Sequence, residues 1–170
     1  MADYFTNFSF VCPLKDDAQK QYALDLSNLA STHRLDQTPL RDDFPETLKD
    51  VLEDWMFELV DCEEGILLHS DSGGIDAACA FVQHLLQKFD TAPFVSFEWS
   101  HDCSKHRPDA FGGGAAVITT AKIESMNTAD WIRKHVPQPG QHLFSPDTHL
   151  CVKCGIHADD DLVENSPCIH

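Results

Sequence analysis

Positive charge is what this chain has least of. Lys and Arg number 12 against 28 Asp and Glu, a formal net charge of -16 at pH 7. Without a basic face to displace counterions from phosphates, ordinary nucleic-acid binding is excluded. Long apolar runs are missing too, since nothing approaches the roughly 18 consecutive apolar residues of a membrane span. The opening MADYFTNFSF has no basic stretch followed by an apolar one. No secretory signal is read there, and a cytoplasmic protein is expected. Repeats and low-complexity tracts are also lacking. Apolar residues nonetheless make up 42% of the 170, too many for a disordered acidic chain. That length suits one domain, or a domain with a small appendage, whose core needs no disulfides.

The acids are unevenly spread. Between residues 36 and 64 they number eleven (Asp36, Asp42, Asp43, Glu46, Asp50, Glu53, Asp54, Glu58, Asp61, Glu63 and Glu64) against Arg41 and Lys49. Such a patch can simply keep a protein soluble. Alternatively, Asp42, Asp43, Glu46, Asp50, Glu53 and Asp54 form a face for a protein partner, one that imitates a phosphate backbone in the basic groove of a nucleic-acid enzyme.

Hydrophobic periodicity lays out the elements. Residues 4–13 read as a strand ended by Pro13. Ala18, Tyr22, Leu26, Leu29 and Ala30 give an amphipathic helix over 15–31. The polar stretch THRLDQTPLRDD then breaks the pattern. Asp43 and Glu46 resemble a capping box opening a short acidic helix to about Glu53. Strands are expected at 55–61 and 65–70. Asp71 or Ser72 should cap a helix whose stripe is Ile75, Cys79, Val82, Leu86 and Phe89. Further strands are read at 93–100 and 115–121, the latter as the last strand, followed by a short helix at 128–135. The order is that of a βαββαβ unit with one added edge strand, an α+β arrangement that resembles the ferredoxin-like fold. The expected division is a domain over 1–135, a proline-rich linker over 136–148 and a metal-binding tail over 149–170.

Seven cysteines with no secretory signal point to ligands or buried thiols rather than a disulfide framework. Cys12, Cys62 and Cys79 are isolated in apolar or strand-like contexts and read as core. The tail HLCVKCGIHADDDLVENSPCIH is different. A Cys-x2-Cys turn followed by Gly155 points both sulfurs to one side, as in a zinc knuckle, and a second Cys/His pair completes a tetrahedron. The expected ligands are Cys151, Cys154, Cys168 and His170, with His149 and His157 as nearby alternatives. Soft thiolates with one imidazole favour zinc. Four protein ligands leave no open position, so the metal is read as structural. A tail this poor in apolar residues needs it, because zinc supplies on the order of 10 kcal/mol in small fingers.

The connection SHDCSKHRPDAFGGG holds His101, Cys103, Lys105, His106 and Arg107 ahead of Gly112, Gly113 and Gly114. Three readings compete. Lys105, Arg107 and glycine amides at positive φ would hold an anion or a partner. Cys103, with His101 or His106 as base and Asp102 as orienter, would make a small enzyme acting on a phosphorylated or acyl substrate. Plain packing, with Arg107 paired to Asp109 or to the acidic surface, is the third. The strings CSKHRPDAFGGGAAVIT and CVKCGIHADDDLVENSPCIH resemble a family of uncharacterised bacterial and phage proteins. That resemblance implies a mobile-element or phage origin and brings no reaction with it. The expected function is therefore non-enzymatic: an acidic, zinc-stabilised protein that binds a protein partner, in one version as an inhibitor of a host defence or nucleic-acid enzyme.

Overall fold

A computed structural model describes residues 2–107, 110–136, 142–160 and 168. Among them the chain is α+β, with six antiparallel strands in one sheet and four α-helices. The elements run β1 (Tyr4–Pro13), α1 (Asp17–Asp36), α2 (Glu46–Lys49), a 3-10 turn (Leu52–Asp54) and β2 (Glu58–Cys62). They continue through β3 (Gly65–Ser70), α3 (Ile75–Phe89), β4 (Val95–Cys103), β5 (Gly112–Ile118), β6 (Ile123–Asn127) and α4 (Thr128–His135). The strand order is β2-β3-β1-β4-β5-β6. Residues 1–129 form one compact unit and 130–170 a second.

Period-two alternation assigns the sheet faces. Phe8, Phe10 and Cys12 of β1 are buried, as are Val95 and Phe97 of β4 and Ala116 and Ile118 of β5. Helices α1 and α3 lie against this face, α1 on β2 and β3, α3 on β5 and β6. Phe10 stacks on Phe97 with ring centroids 4.1 Å apart. Trp55 fills the space beside the 3-10 turn, packs edge-on to Phe81 and donates its indole N–H to Ser27 Oγ at 3.1 Å. That bond satisfies a polar group in a site otherwise apolar.

Several boundaries differ from the sequence reading, each for a local reason. Helix α1 runs five residues past the expected Ser31, to Asp36, where Gln37 in the left-handed region closes it and donates its N–H to His33 O. No capping box forms at Asp43, because the residue ahead of α2 is Pro45; Asp43 pairs instead with Arg41 at 3.2 Å and Glu46 with Lys49 at 2.6 Å. Helix α3 starts after Gly74 (φ 86°), not at Asp71 or Ser72. Strand β4 continues to Cys103, and two edge strands are added rather than one, β6 being the extra. Its residues Ile123 to Met126 are all exposed, so the sequence there lacks alternation. Along the stripe of α3, Cys79, Val82 and Leu86 are buried, with Ile75 and Phe89 partly so. No helix among the described residues is long and apolar enough to cross a membrane.

Candidate metal centre

The second unit is built around sulfur. Val152 donates its N–H to Leu143 O at 2.8 Å and Ser145 donates to Leu150 O at 2.9 Å, so 143–145 and 150–152 run as a tight antiparallel pair. The chain then reverses. Gly155, at φ 77°, donates to Cys151 O, and Cys151 donates to Ile156 O at 2.7 Å. Only a residue tolerant of the left-handed region closes such a turn without strain, which is why glycine follows Cys154. The turn gathers four donors. Atoms of His142, Cys151, Cys154 and Cys168 all lie within 4.8 Å of one another, close enough to hold a metal ion. Cys151 Sγ is 3.7 Å from Cys168 Sγ, and Cys154 Sγ is 3.2 Å from His142 Nδ1.

Backbone geometry prepares one of these sulfurs for charge. Burial pushes the Cys151 thiol up. The N–H groups of Cys154 and Lys153, the His142 imidazole and the N–H of Leu143 outweigh that and hold it well below the ordinary thiol range. Cys168 moves the other way, raised first by burial and then by hydrogen bonds and negative charge from Cys151 and Cys154. Three sulfurs this close repel one another when ionised, and a cation among them removes that conflict. The two thiols are also the interior of the unit. Among its described residues only Cys151 and Cys168 are buried, 2% and 7% exposed.

Cys151, Cys154 and Cys168 thus come together as their spacing suggested. His170 lies outside the described residues. The imidazole that completes the described cluster is His142, from the proline-rich stretch read as linker. His149 and His157 are not part of the cluster: their rings are 6.1 Å apart, and His157 Nδ1 is 3.6 Å from Asp159 Oδ2. Asp159 and Asp160 are exposed, and Asp161 lies outside the described residues.

The 101–114 segment is assembled differently from an open loop. His101 and Cys103 belong to β4, with Cys103 opposite Tyr4 and His101 opposite Gly112. His101 Nδ1 is 2.9 Å from Thr6 Oγ1. Asp102, on the opposite sheet face, accepts from Asn7 Nδ2 at 3.3 Å, so it does not orient His101. Gly112, Gly113 and Gly114 sit in the β5 ladder and none has positive φ, against the expected nest of amides. Close approach explains two of them. A Cβ on Gly114 would fall 2.2 Å from the Trp99 ring, and one on Gly113 2.3 Å from Trp99 O. Gly113 donates to Thr128 Oγ1. Arg107 donates to Tyr4 Oη at 3.1 Å, while Lys105 and His106 are exposed. Asp109, the expected partner of Arg107, lies outside the described residues.

Of the acidic face, Asp42, Asp43, Glu46, Asp50 and Glu53 are exposed. Asp54 is half-buried and works for the fold: its Oδ2 accepts from Ala77 N at 3.5 Å, in the first turn of α3. Comparison with protein families, curated proteins and solved structures finds no match to this chain.

Proposed function

We propose that the chain is a non-enzymatic protein-binding module: an α+β domain that offers an acidic face to a basic partner, and a second unit held by one structural zinc ion. The observation that carries the binding reading is the exposure of Asp42, Asp43, Glu46, Asp50 and Glu53 on one short stretch of a chain with net charge -16. Leu35, 71% exposed, lies in the last turn of α1 next to Arg34, whose Nε donates to Glu53 O, so an apolar contact point adjoins the acids. An enzymatic role finds less support, since Asp102 points away from His101 and Cys103. With the phage or mobile-element origin implied by the resemblance of two strings to uncharacterised bacterial and phage proteins, the basic partner is a host defence or nucleic-acid enzyme.

Zinc is favoured over harder cations by the donors, three sulfurs and a nitrogen. Metal–sulfur bonds of about 2.3 Å in a tetrahedron set sulfur–sulfur edges of about 3.8 Å. The 3.7 Å between Cys151 and Cys168 is close to that edge. With four protein donors the shell is full, which suits a structural ion rather than a catalytic one. For the first unit, the order β2-β3-β1-β4 with a helix after β1 and another after β3 supports the ferredoxin-like reading, β5 and β6 extending one edge.

The test is titration of a strongly basic nuclease with the intact chain, reading binding and nuclease activity at low and high salt. Binding should be salt-sensitive and should inhibit. Changing Asp42 and Asp50 to Asn together with Glu53 to Gln removes three exposed charges at roughly 0.5 kcal/mol each, so affinity should fall about tenfold. Asp54 is left out because it caps α3. Affinity indifferent to both salt and these substitutions would refute the reading.

A further inference from the structure

The three sulfurs of the metal cluster are not equivalent. Cys154 is exposed, whereas Cys151 and Cys168 are buried. One of the three is therefore open to solvent and the other two are sheltered, with the sulfurs all within 4.8 Å of one another. Elsewhere, Cys12 and Cys79 are enclosed in the apolar core of the first unit, where burial pushes both thiols up to about 12 and makes them inert.

We propose that this centre is a peroxide-sensitive switch, in which the exposed Cys154 is oxidised first, one of the buried pair Cys151 and Cys168 closes a disulfide with it, and the zinc leaves. The proposal rests on the zinc reading above. The Cys154 sulfur attacks one oxygen of a hydroperoxide; the O–O bond breaks, Cys154 becomes a sulfenic acid, and the leaving oxygen takes a proton to become water, or an alcohol from an organic peroxide. A thiolate of the buried pair then attacks the sulfenic sulfur, the S–S bond forms, and the departing hydroxide takes a second proton. Two thiolates have lost two electrons to one peroxide, and the cation has lost two of its four donors. The sulfurs must close from within 4.8 Å to a bond of about 2.05 Å. No apolar core resists that rearrangement, because Cys151 and Cys168 are the only buried side chains among the unit's described residues. Release of the metal therefore unfolds the unit, and a thiol reductant with zinc restores it.

The experiment uses the full chain loaded with zinc. Metal content is measured before hydrogen peroxide is added, release is followed with a chromogenic chelator, and disulfides are located by peptide mapping. One zinc per chain should be released, with Cys154 joined to Cys151 or Cys168, and reduction in the presence of zinc should reload it. Cys154→His, which keeps a donor but removes the exposed sulfur, should hold its zinc through a dose that empties the parent. Zinc retained by the parent, release with Cys154 over-oxidised and no disulfide, or a disulfide that excludes Cys154 each overturns the switch while leaving structural zinc intact. A parent chain that takes up no zinc at the outset overturns both. Should Cys154→His fail to load, peptide mapping of the parent decides alone.

Discussion

Asp54 belongs to the turn before β2, yet its carboxylate serves the helix that follows β3. Helix α3 begins at Gly74, which offers no side chain to its first amides, and Asp54 Oδ2 reaches Ala77 N from outside. That contact accounts for an acid in a half-buried place. Burial raises its pKa above 3.8, and the negative charge of Asp76 adds to the rise, while amide bonds from Ala77 and Asp76 and the Arg34 charge oppose it. The folded state therefore binds this proton more tightly than the unfolded state. The resulting stabilisation is full below the unfolded pKa near 3.8 and is lost as pH rises through the folded value. At neutral pH the side chain gives a cap and bears a desolvation cost. Asp54→Asn keeps an oxygen acceptor and sheds the charge, so it should be at least as stable as the parent at pH 7. Asp54→Ala loses the cap and should cost about 1 kcal/mol. Chemical denaturation at pH 7 checks the pair, and an Asn variant as damaged as the Ala variant would contradict this account.

Single elements differ in how far their sequence exposes them. Gly65–Ser70 is legible at its observed bounds because Ile66 and Leu68 alternate with less buried neighbours and a turn precedes them. Strand β6 is not, for it faces water along most of its length, and no apolar rhythm marks a strand whose pairing comes from β5 alone. The end of α1 is hidden for a related reason: Thr32 to Asp36 bury no side chain, so the helix continues on backbone bonds and its Gln37 closure rather than on packing. Cys151 and Cys154 of the cluster are legible because the turn that joins them is local, and Cys168 because it is the remaining cysteine of the same tail. His142 is not, since its place depends on the pairing of 143–145 with 150–152, a contact that a Pro-rich segment does not announce. That pairing makes the centre an element in its own right, with a testable consequence. On the zinc reading, chelation should abolish amide protection at Cys151, Val152 and Gly155 while leaving β1, β3 and β4 protected, as hydrogen exchange would record. His142→Ala should weaken zinc affinity by about tenfold or more. Unchanged affinity would move the fourth ligand elsewhere.

Charge acts at the scale of the whole molecule. With -16 at pH 7, the folded chain holds its acids closer together than the unfolded chain does, and this repulsion opposes compaction. The few ion pairs available, Lys20–Asp61 at 2.9 Å and Lys49–Glu46 at 2.6 Å among them, offset only a small part of it, since 28 acids outnumber 12 bases. Salt should therefore stabilise this protein. A screening length of roughly 8 Å at physiological ionic strength reaches across neighbouring surface acids but leaves short ion pairs mostly intact. Raising NaCl from low to physiological ionic strength at pH 7 should lift the melting temperature by about 2–4 °C for each kcal/mol of relieved repulsion. Near pH 4.7, where the net charge vanishes, the same salt step should do almost nothing. Acid also protonates thiolate ligands and frees any bound zinc, so the transition is best followed through buried Trp55 of the first unit. A melting temperature that ignores salt at pH 7, or that responds equally at both pH values, would mean that the acids are spaced widely enough for their repulsion to be negligible in the fold. An electrostatically concentrated acidic face would then be lost with it, because repulsion within the face and attraction to a basic partner arise from the same local density of charge.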